Sequence, residues 1–167
     1  FRAGDVVEVG GRQGAVERID LMHTVLAMPD NSVVSVPNGA IMTAPIVNFT
    51  ARPTRRIELV FQVGFEDDPQ RAVQLIDGIV KSHARVLADP APVVLLQRLA
   101  EGGYEIVARP WVKSAEVPVA TGELLAAVGH ALTTQGFHVP QRVIRLVPPA
   151  ADGGTGTAGA VRHEPGR

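Results

Sequence analysis

The side chains in this sequence that could do chemistry are five histidines, one acidic run and one basic cluster. His23, His83, His130, His138 and His163 never fall at the HxH or HxxxH spacing that brings two imidazoles to one metal ion, so no metal site is expected. His83 stands on the apolar stripe of an amphipathic segment, which suits a partly buried histidine at a helix end better than a pH sensor. Glu66-Asp67-Asp68 precedes a proline, and acidic residues favour a helix N-terminus, so capping is expected there rather than cation binding. Arg52, Arg55 and Arg56 could meet a phosphate, but a salt bridge at a junction, or a subunit contact, is the better fit for arginines around Pro53. Trp111, the single tryptophan, is either a packing anchor or an interface residue.

Several chemistries are excluded by what is missing. With no cysteine among 167 residues there is no disulfide, thiolate metal site or cysteine nucleophile. Neither a P-loop nor a GxGxxG follows any strand-like run, and no GxSxG elbow occurs, so nucleotide cradling and α/β-hydrolase catalysis have no signature. No enzyme activity and no cofactor are expected. The net charge of −1 gives no bulk attraction for nucleic acid or an anionic membrane surface. No apolar run approaches the roughly 18 residues a spanning helix needs. The chain starts on Phe1 and goes directly into a Gly4-Asp5 turn, and so reads as a soluble fragment of something longer.

The elements that must carry these residues fall into two groups. Asp5 to Val9, Gln13 to Ile19, Thr24 to Met28, Val33 to Val36 and Ala44 to Phe49 are short apolar or alternating runs separated by Gly10-Gly11, Pro29-Asp30-Asn31 and Pro37-Asn38-Gly39. They predict a small all-β barrel or SH3-like roll over residues 1–52, marginal alone and in need of neighbours. Pro37-Asn38-Gly39 suits a tight turn, because asparagine and glycine tolerate positive φ.

The second group, residues 53–147, predicts the order βαββαβ. Ile57 to Phe65 alternates with its odd positions apolar. Asp68-Pro69 then opens a helix whose stripe runs from Ala72 through Ala84 to Leu87. Val93 to Leu99 and Tyr104 to Arg109 flank a turn at Glu101-Gly102-Gly103. A second helix is predicted from about Val119 to Gln135, with Leu124, Leu125, Val128, Ala131 and Leu132 inward and Gly136 as its C-cap. Val143 to Val147 reads as a closing strand. This is the split βαβ, or ferredoxin-like, arrangement with both helices on one sheet face. It makes the Tyr104 strand central, and Pro110 must end or bulge that strand. Residues 148–167 are too poor in apolar side chains to fold and read as a flexible tail.

A roll followed by a ferredoxin-like unit has an alternative reading as a soluble RNA-binding protein. An RNA-recognition sheet stacks bases on aromatics of its open face, whereas the even positions of the first strand are Glu58, Val60, Gln62 and Gly64. No nucleic acid is expected.

Gly4 and Asp5, Gly14 with Val16, Thr24, Asp30, Pro37, Asn38 and Gly39, and Asn48 occur in an order and spacing that resembles the small-conductance mechanosensitive channel (MscS) family. The likeness continues through Arg55-Arg56, Phe65-Glu66-Asp67-Asp68, Val107 to Trp111, and Gly136-Phe137 with Pro140-Gln141. Ala27-Met28 departs from it, standing where the family commonly has a basic residue. The resemblance implies an Sm-like β domain followed by an α/β domain, placed after a pore-lining helix. It further implies a homo-oligomer, in that family a heptamer, on the cytoplasmic side of a bacterial inner membrane. There ions and small solutes would pass in transit on osmotic shock, and upstream helices would supply the membrane contact. The motif residues take structural roles in this reading.

Overall fold

The computed structural model describes residues 1–138. The expected strand at Val143 to Val147 and the tail lie outside the described residues. Most of the regular structure is β-sheet.

The first part begins with β1 (Val6–Val9), β2 (Arg12–Ile19), β3 (His23–Ala27) and β4 (Val33–Pro37), followed by the short helix α1 (Asn38–Thr43) and β5 (Ile46–Asn48). The strands form one antiparallel five-stranded sheet in the order β4-β3-β2-β1-β5. Gly10 and Gly11, at φ of +57° and +75°, make the two-residue turn that sets Val9 opposite Arg12. Positive φ at both central positions gives that turn the twist of the strands it joins. Between Val16 and Arg18 the register against β3 shifts, a bulge that curls the sheet over its core. That core is Val7, Val9, Val16, Leu26 and Ile41, with Val36 packed against it.

The second part contains β6 (Thr54–Arg56), β7 (Leu59–Gly64), α2 (Pro69–Ser82), β8 (Val93–Ala100), β9 (Gly103–Arg109), β10 (Trp111–Lys113) and α3 (Val117–Thr134). β9 is the centre of an antiparallel sheet ordered β7-β9-β8. At Pro110 the strand breaks as its missing N–H requires, and β10 goes on to pair with β6. The carbonyl of Pro110 is not lost, since it accepts from the Ile57 N–H at 3.0 Å. Leu59, Phe61, Val63, Ile106 and Ala108 meet Ala72, Ile76 and Val80 of α2 and Ala120, Leu124 and Val128 of α3 in one core.

Two expected boundaries and one expected face move. α2 stops at Ser82 instead of running to Leu87, because His83 turns to extended backbone (ψ 128°) and Leu87 gives its N–H to Trp111 O at 2.8 Å. That long-range bond outcompetes another helical turn. Strand β7 is shorter than the alternation suggests, and Phe65 lies 52% exposed beyond it, edge-on to Tyr104 at 5.3 Å. In α3 the inward face is Ala120, Leu124 and Val128, while Leu125 is 45% exposed. The α3 terminus follows the glycine signal closely. Gly136 sits at φ +76°, its N–H bonds Thr133 O at 3.1 Å, and the Phe137 N–H bonds Leu132 O at 3.0 Å. Those two bonds are a Schellman motif.

Candidate functional site

The motif residues of the first part gather into two hydrogen-bonded knots. Asn38 centres one. Its amide donates to the carbonyls of Asp20 at 2.9 Å and Leu21 at 3.0 Å, and its Oδ1 accepts from the Thr24 hydroxyl at 2.8 Å. Its backbone N–H reaches Met22 O at 2.9 Å. Thr24 is 1% exposed, so its hydroxyl depends on that one partner. The expectation of positive φ at Asn38 and Gly39 is overturned: both lie in α1, and neither is among the positive-φ residues. The physical reason is that Asn38 acts through its side chain, which satisfies the carbonyls of the β2–β3 turn. Among the described residues the non-glycine with left-handed backbone is Asn31 at φ 67°, beside Asp30, whose carboxylate accepts from the Ser32 hydroxyl and N–H. Those bonds, the hydroxyl first, hold the Asp30 carboxyl below the ordinary value.

Asp5 centres the other knot. Its carboxylate accepts from Asn48 Nδ2 at 2.9 Å, from the Arg2 N–H at 3.0 Å and from the Thr50 hydroxyl at 3.3 Å. The Asn48 amide, with the Arg2 N–H behind it, keeps the Asp5 carboxyl below its usual range. Asn48 Oδ1 in turn accepts from the N–H groups of Thr50 and Ala51, each at 2.9 Å. Gly4, at φ +91°, donates to Val16 O at 2.8 Å, so the start of the chain is tied both to β2 and to the segment after β5. Gly14 answers to space instead: a Cβ there would stand 2.8 Å from Ala27 O and 3.2 Å from Met28 Sδ.

Around 49–56 the arginines part company. Arg55 places its guanidinium 4.6 Å from the Phe49 ring centroid, a cation–π contact. Arg56 faces Trp111 across the β6–β10 ladder, and Arg52 accepts through its carbonyl from the Ser114 hydroxyl. Ser114 also gives its N–H to Pro53 O at 2.9 Å. Pro37 closes β4, opposite His23.

Sequence reasoning missed the ion pairs Asp67–His138 and Arg85–Glu123 of the second part, because their members are far apart in the chain. Asp68 caps α2 as expected, accepting from the Gln70 N–H at 2.9 Å. Its neighbour Asp67 turns away to meet His138, 2.9 Å from Nδ1. His83 caps the end of α2 and approaches Glu123 at 3.4 Å, in a cleft of about 830 Å³ also lined by Arg85, Lys113 and Glu116. Arg85 bonds Glu123 at 2.9 Å and forms an ion pair with Glu116 at 3.6 Å, so the charges of the cleft satisfy one another. Glu105, 5% exposed, receives Arg98 through two bonds of 2.8 Å. The sheet face turned away from the helices carries Val60, Gln62, Glu105, Val107 and Leu95; among the described residues of that face there is no ring on which a base could stack. No group of three or more potential metal ligands forms among the described residues.

Residues 1–51 match the family model for the mechanosensitive ion channel β-domain, and residues 57–135 match that for the mechanosensitive ion channel MscS C-terminal region. An MscS family protein of Synechocystis sp. is 32% identical over 151 residues, covering 89% of this chain and 51% of its own. A small-conductance mechanosensitive channel of Edwardsiella ictaluri is 31% identical over 140 residues, covering 84% and 49%. The chain thus spans about half the length of these curated relatives. In fold it resembles the closed-state crystal structure of Helicobacter pylori MscS, at TM-score 0.83 and 21% identity over 89% of this chain and 59% of that one. Arabidopsis thaliana MSL1 superposes at TM-score 0.68 and 22% identity, over 82% and 52%.

Proposed function

Since the chain belongs to the MscS family of mechanosensitive ion channels, we propose that it forms the cytoplasmic vestibule of such a channel, which opens under membrane tension to release ions and small solutes. The observation that carries this reading is the pair of family matches in chain order, meeting between residues 51 and 57 where the arginine junction lies. In this reading the chain is no enzyme; its parent sits in a bacterial inner membrane through other segments and assembles as a homo-oligomer, a heptamer by family analogy.

The finer fold assignment belongs to the same proposal: an Sm-like β domain over 1–52 and a ferredoxin-like domain over 53–147. It is supported by the antiparallel order β7-β9-β8 and by the Gly64 N–H, which donates from β7 to His138 O at 3.1 Å. Gly4, Asp5, Gly14, Thr24, Asp30, Pro37, Asn38, Gly39 and Asn48 then serve to hold the β domain in shape. Arg52, Arg55, Arg56 and Trp111 serve the junction or contacts between subunits.

The test is a chimaera. This chain replaces the matching region of the Edwardsiella ictaluri channel, and the product is expressed in a bacterium stripped of mechanosensitive channels. Survival of hypo-osmotic shock and tension-gated currents in excised patches are expected. A chimaera that reaches the membrane as an oligomer yet conducts nothing under lytic tension would overturn the reading.

A further inference from the structure

The exit of α3 is fastened to the turn between β7 and α2 by a set of contacts that no local rule of helix capping demands. Asp67 lies in that turn with its side chain 8% exposed. It accepts from the His138 N–H at 2.8 Å and the Gly64 N–H at 3.1 Å, and its Oδ1 stands 2.9 Å from His138 Nδ1. Gly64 shares its N–H with His138 O at 3.1 Å, which closes the loop of bonds. Arg71, in the first turn of α2, adds a bond to Gln135 O at 3.1 Å and lies over the Phe137 ring at 5.0 Å.

Most of this cluster is indifferent to pH near neutrality. His138 is the exception, being 62% exposed and open to proton exchange. When protonated it gives Asp67 a bond in which both partners are charged; when neutral only the carboxylate is charged and the bond is weaker. We propose that Asp67 and His138 form a proton-operated latch, which fastens the chain leaving α3 to the β7–α2 turn and loosens as pH rises above the ordinary histidine range. The inference goes beyond the channel reading and does not depend on it.

The charged groups facing His138 from the elements around it are consistent with this sign. From the turn come Asp67 in contact and Glu66 at 3.9 Å; Asp68 is committed to capping α2. From α2 comes Arg71, whose guanidinium is directed to Gln135 and Phe137. Asp67, by its hydrogen bond first and its charge second, raises the affinity of His138 for its proton above the ordinary value. A group whose pKa is raised on folding stabilises fully below its unfolded pKa, about 6.5 for histidine, and loses that contribution as pH rises through the folded value.

The experiment uses the 167-residue chain and its His138→Gln variant, in which an amide keeps a donor but cannot titrate. His23 and His83 also stand beside carboxylates, so the difference between the two proteins is the informative quantity. Melting temperature and the protection of the Gly64 amide from hydrogen exchange are followed from about pH 5.5 to 8.5, the range in which histidine changes charge. The expected result is a wild-type advantage at the acid end that shrinks on raising pH, with a several-fold loss of Gly64 protection absent from the variant. NMR titration of the wild-type imidazole provides a second reading, expected to lie above the ordinary histidine value. Superimposable pH profiles for the two proteins, or an imidazole titrating at or below that value, would overturn the latch.

Discussion

The guanidinium of Arg55, in β6, lies over the ring of Phe49, just after β5, with 4.6 Å between its carbon and the ring centroid. These residues belong to the two sides of the junction, and each side has its own apolar core. A cation over an aromatic face contributes about 0.5–1 kcal/mol when exposed. Arg55→Ala should therefore lower stability by about that amount, and Arg55→Lys by less. The effect should be lost in a Phe49→Leu background, a double-mutant cycle read by chemical denaturation. Equal losses in both backgrounds would rule out the stacking as their cause.

Asn38 makes a sharper prediction. Truncation to alanine strands two carbonyls of the β2–β3 turn and the buried Thr24 hydroxyl together. Leaving a buried polar group without a partner costs about 1–3 kcal/mol, so Asn38→Ala should unfold the first part at distinctly lower denaturant. Asn38→Asp keeps the acceptor for Thr24 but loses both donated bonds, and an intermediate loss is expected.

Gly14 is governed by space. Its missing Cβ would meet a backbone oxygen, Ala27 O, at 2.8 Å, and backbone in the middle of a sheet yields little. Gly14→Ala should cost about 1–3 kcal/mol, the usual range for overpacking. Gly39→Ala, where no atom approaches within 4 Å and the residue lies in α1, should be neutral or slightly stabilising. Thermal melts of the two variants provide the comparison.

On the acid side the sign is opposite to that of His138. Hydrogen bonds from Arg98 hold the Glu105 carboxyl below its ordinary value, Asn48 does so for Asp5, and Arg85 for Glu123. Asp67 joins them: its burial pushes the carboxyl up, but the bonds from His138 and Gly64 outweigh it. Carboxyls with depressed pKa contribute stability that is present above the unfolded pKa, about 4, and is lost as pH falls through the folded value. Acid titration should therefore destabilise the chain below about pH 4, and Glu105→Gln should make that limb shallower. An unchanged slope in the variant would remove Glu105 from the account.

How much of this was legible in the sequence depends on the range of the interaction concerned. Gly10-Gly11, Asp68-Pro69, Pro110 and Gly136 act on their own backbone or on the next turn, and their turn, cap or break lies where their chemistry requires. The apolar periodicity carries α2 past its true end, because Leu87 is claimed by Trp111, a partner no periodicity reveals. Asn38 resembles a turn residue in sequence, although its side chain serves carbonyls 18 and 17 residues earlier. Asp67 and His138, separated by 71 residues, left no local signal at all. Family resemblance could point to Asn38 and Asp5, but only the folded chain shows what each one bonds.

The break at Pro110 has a mechanical consequence. Residues 103–109 form the middle strand of one sheet, and residues 111–113 form half of the small ladder with β6, so one stretch of backbone serves both. A pull on the first part is transmitted through residues 52–56 into β6 and across its hydrogen bonds to β10. From there it enters β9, which has a neighbour on each side, while the chain itself carries the rest of the load from β6 into β7, the partner of β9. Traction at the junction is thus resisted in shear by two ladders at once, and the second part should move as one stiff piece when the first is displaced.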